Sequence, residues 1–416
     1  MQLTMSLEGE VSIILHAKDG MVHAVNVASK RPLLANQLLQ QKTPQLAITL
    51  VSSLYRICAK AQACASIDAM ETALGIQTHA STRQVRVQIL RMETLREHAW
   101  RILLDWPLMI NEKPDNESLK QLLQIDRYWQ QAVDSKAQAF QIEARALQSD
   151  GLIKADNRQT TALLDACSEL LKKAVFSRSP AQWLALKDAD ELADWAEKCE
   201  TSAARLIHRL MHKGWEEIGQ SQIQALPDLD SAMLERLLNK QNANRFMHTP
   251  EIDGEQYETT PYSRQYSSAL IQSLSEQFGN GLLTRFVAVL VELAVMQAEM
   301  RSCLNRGVEY SARPSVKSGV KNTRKSDNAM GIGVGVGVVE AARGRLVHRV
   351  RLQDDCVAEY QIVAPTEWNF HPQGVLARSL KYLAKGDDEH LEEQAGLLIH
   401  AMDPCVKFSL QVKSDA

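Results

Sequence analysis

The sequence lacks a long apolar run, paired cysteines and an excess of charge of either sign. Its most apolar stretch, 286–296, is interrupted by Glu292 and is too short to cross a bilayer. The seven cysteines are an odd number and none has CxxC spacing, which argues against a disulfide framework and an ordinary zinc site. The 47 basic and 50 acidic residues nearly cancel, so we expect no nucleic-acid partner and no membrane partner.

Common catalytic motifs are also missing. There is no Walker sequence, no HExxH and no GxSxG, which excludes the usual signatures of NTPases, zinc proteases and serine hydrolases. Glycines alternate with Ile and Val from Gly331 to Gly337, but this GxGxGxG pattern precedes a strand and differs from the nucleotide-binding GxGxxG. Glycine at every second residue leaves one face of an extended segment without side chains, which predicts that another backbone packs closely against that face.

The hydrophobic patterns predict an α+β fold, with a mainly α-helical body and small antiparallel sheets near both ends of the chain. Strand-like runs lie at 11–16, 21–27, 334–340, 345–352 and 356–363. Helix-like runs lie at 45–75, 83–105, 283–300, 374–384 and 389–401. Asp19-Gly20 predicts a tight hairpin between the first two strands, because such turns need positive φ. Trp106-Pro107 is expected to follow the end of the second helix.

We expect one domain for the 416 residues, divided into five segments. These are a β-rich N-terminal segment (1–44), a helical body (45–309), a basic loop (310–330), a β meander (331–372), and C-terminal helices with an Asp-Pro-Cys motif (373–416). The basic loop has no apolar periodicity, which is typical of a flexible surface segment. A docking strip for an acidic partner is the alternative interpretation.

Five short motifs occur in a characteristic order. They are Leu-Glu-Gly-Glu at 7–10, Arg-Ile-Cys at 56–58, Glu-Ala-Ala-Arg-Gly at 340–344, Pro-Thr-Glu-Trp-Asn at 365–369 and Asp-Pro-Cys at 403–405. In this order and spacing the chain resembles the large subunit of nickel–iron hydrogenases, over about 1–110 and 330–412. That resemblance implies a large-subunit-like fold in which both chain ends meet at a metal site.

The departures from this family affect the nickel ligands. Ala61 and Ala65 stand where the family's N-terminal motif has its second cysteine and its histidine. Phe408 and Gln411 stand where the C-terminal motif has cysteine and histidine, and only residues 412–416 follow, so we expect no cleavable C-terminal extension. Nickel in the family needs four thiolates, so we expect no nickel and no hydrogenase activity.

The residues that the resemblance assigns to iron are retained. In the family an arginine and a hydroxyl face the cyanides of an Fe(CN)2CO unit, and the matching positions here are Arg343 and Thr366. The pattern resembles hydrogenase accessory proteins of the HupK/HoxV type, which implies a non-catalytic maturation scaffold that holds this unit transiently. The expected partners are small assembly chaperones, iron-cyanide delivery proteins and the apo large subunit, and the expected compartment is the cytoplasm.

Cys58 and Cys405 are the expected iron ligands, with Cys64 as a further candidate. Both match terminal nickel thiolates of the family, while the two cysteines that bridge to iron are lost. On one continuous helix Cys58 and Cys64 would lie on different faces. Glu8 and His98 match family positions, and we expect mainly structural roles for them.

Two alternatives remain open from the sequence. A metal-free interaction protein of the hydrogenase assembly machinery is one, because both bridging cysteines are lost. The other is an electron-transfer subunit like the quinone-site subunit of respiratory complex I. That lineage lost the motif cysteines, whereas this chain keeps Cys58 and Cys405.

Overall fold

A computed structural model describes residues 9–142, 158–238, 241–306 and 332–414, so Glu8 and the basic loop lie outside the described residues. The strands are β1 Glu10–Lys18, β2 Met21–Ser29, β3 Gln224–Ala225, β4 Tyr257–Glu258, β5 Ile332–Ala341, β6 Gly344–Gln353, β7 Cys356–Val363 and β8 Lys407–Ser414. The helices are α1 Leu34–Leu39, α2 Pro44–Leu54, α3 Ala59–Leu74, α4 Ala80–Trp100, α5 Trp106–Met109, α6 Asn116–Val133, α7 Arg158–Leu171, α8 Pro180–Trp183, α9 Ala189–Lys198, α10 Ser202–His212, α11 Ser231–Leu237, α12 Ala243–His248, α13 Pro261–Gln265, α14 Ala269–Phe278, α15 Leu282–Arg306, α16 Pro365–Asn369, α17 Val375–Ser379 and α18 Asp388–Met402. This α+β architecture confirms the predicted fold class.

The N-terminal sheet joins the two ends of the described chain. β1 and β2 form the predicted hairpin, and Asp19 and Gly20 adopt φ of 52° and 76° in its turn. The C-terminal segment, for which only helices and the Asp-Pro-Cys motif were expected, also contains β8. This strand adds to β1 in parallel and completes the order β2-β1-β8, so the sheet is not purely antiparallel as predicted. This pairing is invisible locally, since its two strands come from opposite ends of the sequence.

The helical run predicted over 45–75 is divided in two. α2 ends at Leu54, a 3-10 turn follows over Arg56–Cys58, and α3 begins at Ala59. The new helix start is capped by a distant carboxylate: Glu93 of α4 accepts the backbone N–H groups of Lys60 and Ala61 at 2.8 Å each. Those N–H groups have no partner within a helix, so the cap stabilises a start at this point.

The alternating glycines confirm the predicted close backbone packing. A Cβ at Gly333, Gly335 or Gly337 would overlap the backbone carbonyls of α3, at residues 73, 69 and 65 respectively. β5 therefore lies directly on α3. It continues through β6 and β7 as the predicted antiparallel meander, in the order β5-β6-β7.

The helical body contains buried charged side chains, which pair with one another between α4 and α15. His98 of α4 lies 2.8 Å from Glu292 of α15, through Nε2 and Oε2, and Arg264 forms a bidentate pair with the same carboxylate. His98 is thus a hydrogen-bonded core residue, as expected. The helix expected to stop before Trp106 instead continues through a π-helical segment at 101–105 and ends at Met109. The Leu103 carbonyl, which lacks a donor because Pro107 has no N–H, accepts the Asp115 N–H at 2.9 Å.

Candidate metal-binding site

The two motif cysteines from opposite ends of the chain meet in space. Cys58 is the N-cap residue of α3, and Cys405 lies in the short segment between α18 and β8. Their thiols are hydrogen-bonded to each other, and both residues are half-buried. With Arg31, Tyr55, Ile57 and Val406 they line a small cavity of about 20 Å³, which is roughly the space of one water molecule.

The surrounding groups shift the pKa values of these two thiols in opposite directions. The pKa of Cys405 falls to about 6, because Cys58 donates a hydrogen bond to it and, against the effect of burial, Arg343, Thr366 and Arg31 favour the thiolate. The pKa of Cys58 is raised well above its ordinary value by the hydrogen bond with Cys405 and by burial. Near neutral pH the pair therefore holds one proton and carries one negative charge.

Arg343 presents a buried donor near this pair. Its Nη1 donates to Glu97 at 3.1 Å, and its Nε lies 2.9 Å from Asp403. Its Nη2 is buried and has no hydrogen-bond partner. A hydrogen bond holds the β5–β6 turn that carries Arg343, because the Asn369 side chain donates to the Arg343 carbonyl at 3.2 Å. The two motifs that contain these residues are thereby tied together.

Thr366 is engaged with Cys405. Its hydroxyl accepts the Cys405 backbone N–H at 3.2 Å and also hydrogen-bonds the Cys405 side chain. The hydroxyl therefore positions the cysteine, and a role in reading cyanide stays a prediction. Cys64 lies apart from the pair: its Sγ contacts the carbonyl of Arg86 at 3.8 Å, and burial raises the pKa of its thiol strongly. The structure does not bring Cys64 to the other two.

Comparison with known proteins shows which proteins this chain is similar to. The Nickel-dependent hydrogenase family model matches residues 230–409. The chain is 28% identical to the hydrogenase expression/formation protein HoxV of Cupriavidus necator, covering 92% of each chain, and 27% identical to HupK of Azotobacter vinelandii, covering 98% and 99%. The chain is thus homologous to the HoxV and HupK proteins over nearly its whole length, and its residues 230–409 are similar to nickel-dependent hydrogenases. The Ni-Fe-Se hydrogenase of D. vulgaris Hildenborough shares its fold, with a TM-score of 0.56, 16% identity and 94% coverage of each chain.

The positions where this HoxV/HupK homologue departs from the hydrogenase motifs have other packing roles. Ala61 and Ala65 are fully buried in the core formed by α3 and the meander. Phe408 packs edge-on against His400, with ring centroids 5.5 Å apart. Gln411 pairs with Ile14 in the N-terminal sheet.

Beyond the thiol pair, the described part of the chain holds no larger group of candidate metal ligands. Within residues 9–142, 158–238, 241–306 and 332–414, no three His, Cys, Asp or Glu side chains come together in a way that could hold a metal ion. Over the same residues, none of the helices combines the length and apolarity that crossing a bilayer requires.

Sequence reasoning missed Arg31, Tyr55 and Glu367 at this site. The Arg31 guanidinium lies 5.0 Å above the Tyr55 ring, and its Nη1 is buried without a hydrogen-bond partner. Burial raises the pKa of the Glu367 carboxyl to about 7, and Ser29 donates to this carboxyl at 3.3 Å. Glu367 could have been found, since it lies inside the Pro-Thr-Glu-Trp-Asn motif. Arg31 lies in no motif, and only the fold brings it here.

Proposed function

We propose that this protein serves nickel–iron hydrogenase maturation as a non-catalytic scaffold, and that Cys58 and Cys405 hold an Fe(CN)2CO unit for transfer to the hydrogenase large subunit. The homologues named hydrogenase expression/formation proteins support the maturation role. The single observation that carries the iron assignment is the meeting of two thiols, from opposite ends of the chain, beside an unpartnered guanidinium nitrogen.

The chemistry of the donors fits this cargo. Thiolates are soft ligands that suit iron, and the Cys58–Cys405 pair already carries one negative charge near neutral pH. Cyanide nitrogens accept hydrogen bonds, and the buried Nη2 of Arg343 is a charged donor that lacks an acceptor. Leaving such a donor unpaired costs free energy, so an anionic ligand that accepts its hydrogen bond is favoured.

The same donor set argues against nickel and against catalysis. The buried Ala61 and the ring of Phe408 occupy the positions of two family thiolates, so the four-thiolate cage cannot form from the motif positions. We expect purified protein to contain no stoichiometric nickel and to show no hydrogen-dependent dye reduction. An Fe(CN)2CO unit held by two thiolates has five ligands and keeps one coordination position open, which suits transfer to another protein.

The expected partners follow from this role. Small assembly chaperones and iron-cyanide delivery proteins would load the thiol pair in the cytoplasm, and the apo large subunit would receive the unit. The metal-free interaction protein remains the second candidate, because the cavity at the thiols has room for only one water molecule in the present side-chain arrangement.

A complementation experiment separates these two functions. In cells that lack the gene, we expect Cys58→Ser and Cys405→Ser to leave the hydrogenase large subunit without iron, whereas Cys356→Ser restores it. Cys356 is a matched control, since it is also half-buried and free but begins β7 on the meander. Full restoration by both motif variants would favour the metal-free interaction protein and overturn the scaffold proposal.

A further inference from the structure

A larger cavity adjoins the thiol site. Its volume is about 540 Å³, which lies within the range of small-ligand sites. α1, α12 and β7 contribute to its walls. The exposed residues Gln37 of α1 and Asn244 of α12 lie at its edge, so it opens to solvent. We call this cavity the cleft.

Arg31 and Tyr55 line both the cleft and the small cavity at the thiols. They therefore form a shared wall between the cleft and the cavity at the thiol pair. The Arg31 side chain lies on the Tyr55 ring, and its buried Nη1 has no acceptor. Among the residues that line the cleft, Arg31 is the one lysine or arginine. Of the two acidic residues in this lining, Glu359 pairs with Arg351 at 3.1 Å, and burial raises the pKa of the Glu367 carboxyl near Arg31 to about 7.

Size makes this wall significant. A cavity of about 20 Å³ accommodates one water molecule, whereas iron with three diatomic ligands needs several times that volume. Movement of Arg31 and Tyr55 would join the small cavity to the cleft. A guanidinium at that position would also attract an anion along the route.

We propose that Arg31 and Tyr55 form a gate between the cleft and the thiol pair, and that Arg31 is the first anchoring group for an anionic iron unit entering from the cleft. This inference rests on the proposed scaffold function. It adds an entry route and a preference for anions that the thiols alone do not supply.

Thiol alkylation of the full-length, iron-free protein tests the gate without iron. Iodoacetate and iodoacetamide are close in size but differ by one negative charge, and peptide-level mass spectrometry reports each cysteine separately. The ratio of the two rates at Cys405, divided by the same ratio at Cys356, measures the preference for an anion. Buried Cys64 and Cys167 should stay unlabelled, which verifies that the protein remains folded.

We expect Arg31→Gln to lower this normalised ratio by about threefold or more, because one nearby positive charge is lost. A change in the Cys405 pKa affects both reagents equally and cancels in the ratio. Arg56→Gln is the matched control, since it removes a charge from an exposed position of the neighbouring turn. Asn244→Trp, at the cleft edge, should slow both reagents at Cys405 and leave Cys356 unaffected.

An unchanged ratio in Arg31→Gln would overturn the gate, as would unchanged Cys405 labelling in Asn244→Trp. Neither result would contradict the scaffold function, because that function is tested separately by measuring the iron bound to the isolated protein. If bound iron is present and the gate fails, the unit enters by another route.

Discussion

The backbone N–H of Cys405 donates a hydrogen bond of 3.2 Å to the Thr366 hydroxyl. This contact ties the C-terminal Asp-Pro-Cys motif to the Pro-Thr-Glu-Trp-Asn motif before any cargo is bound. Because the same hydroxyl hydrogen-bonds the Cys405 side chain, Thr366 both positions this cysteine and helps to lower the pKa of its thiol.

Thr366→Val should therefore raise the Cys405 pKa from about 6, because it removes a hydrogen bond that favours the thiolate. The pH midpoint of Cys405 alkylation, followed by peptide mass spectrometry, reports this pKa. Thr366→Ser retains a hydroxyl and should restore the midpoint of the native protein. An unshifted midpoint in Thr366→Val would mean that the hydroxyl does not act on the thiol.

Arg343→Ala should destabilise the fold as well as weaken iron binding. It removes one guanidinium partner from Asp403 and one from Glu97, which retain Arg101 and Arg96 respectively. Losing charge-assisted hydrogen bonds of this kind costs about 1.5–3 kcal/mol. Urea unfolding of the iron-free protein measures this change. Arg205→Ala breaks an exposed pair with Glu112 and should cost less than about 1 kcal/mol. Similar losses for the two variants would contradict the role assigned to Arg343.

Gly335→Ala should strongly destabilise the protein, because its new Cβ would overlap the carbonyl of Ala69 on α3. Overpacking of this kind costs about 1–3 kcal/mol or more. Gly396→Ala is the matched control within α18, where nothing lies within 4 Å of the added Cβ. It should stabilise by about 0.5–1 kcal/mol, since alanine favours a helix interior. Equal thermal stability of the two variants would show that β5 and α3 are not in close contact.

Glu93 should make stability depend on pH. Burial raises the pKa of this carboxyl to about 7, above its ordinary value of 4.5, so the folded state favours the protonated form. Protonated Glu93 therefore adds to the free energy of unfolding below about pH 4.5, and this stabilisation is lost as pH rises through 7. Glu93→Gln resembles the protonated form, so native stability relative to this variant should fall between pH 5 and 8. A difference that stays constant across this range in urea unfolding would refute the assigned pKa.

The sequence predicted features that depend on neighbouring residues. Asp19-Gly20 gave the hairpin, and the alternating glycines indicated the contact that the structure finds with α3. The sequence did not predict features that depend on contacts between distant residues. The start of α3 at Ala59 relies on Glu93, and β8 relies on pairing with β1, so neither carries a local signal. Arg31 reaches the thiols only because the hairpin returns it there, beside Tyr55.

Infrared spectroscopy tests the central claim most directly, on protein purified without oxygen from cells that contain the hydrogenase accessory machinery. We expect carbon monoxide and cyanide stretching bands together with bound iron. Both should disappear in Cys58→Ser and in Cys405→Ser, because a serine hydroxyl is a hard donor that stays protonated at neutral pH. Both should persist in Cys167→Ser, Cys199→Ser and Cys356→Ser. Absence of the bands from the native protein under these conditions, or their survival in both motif variants, would contradict the account.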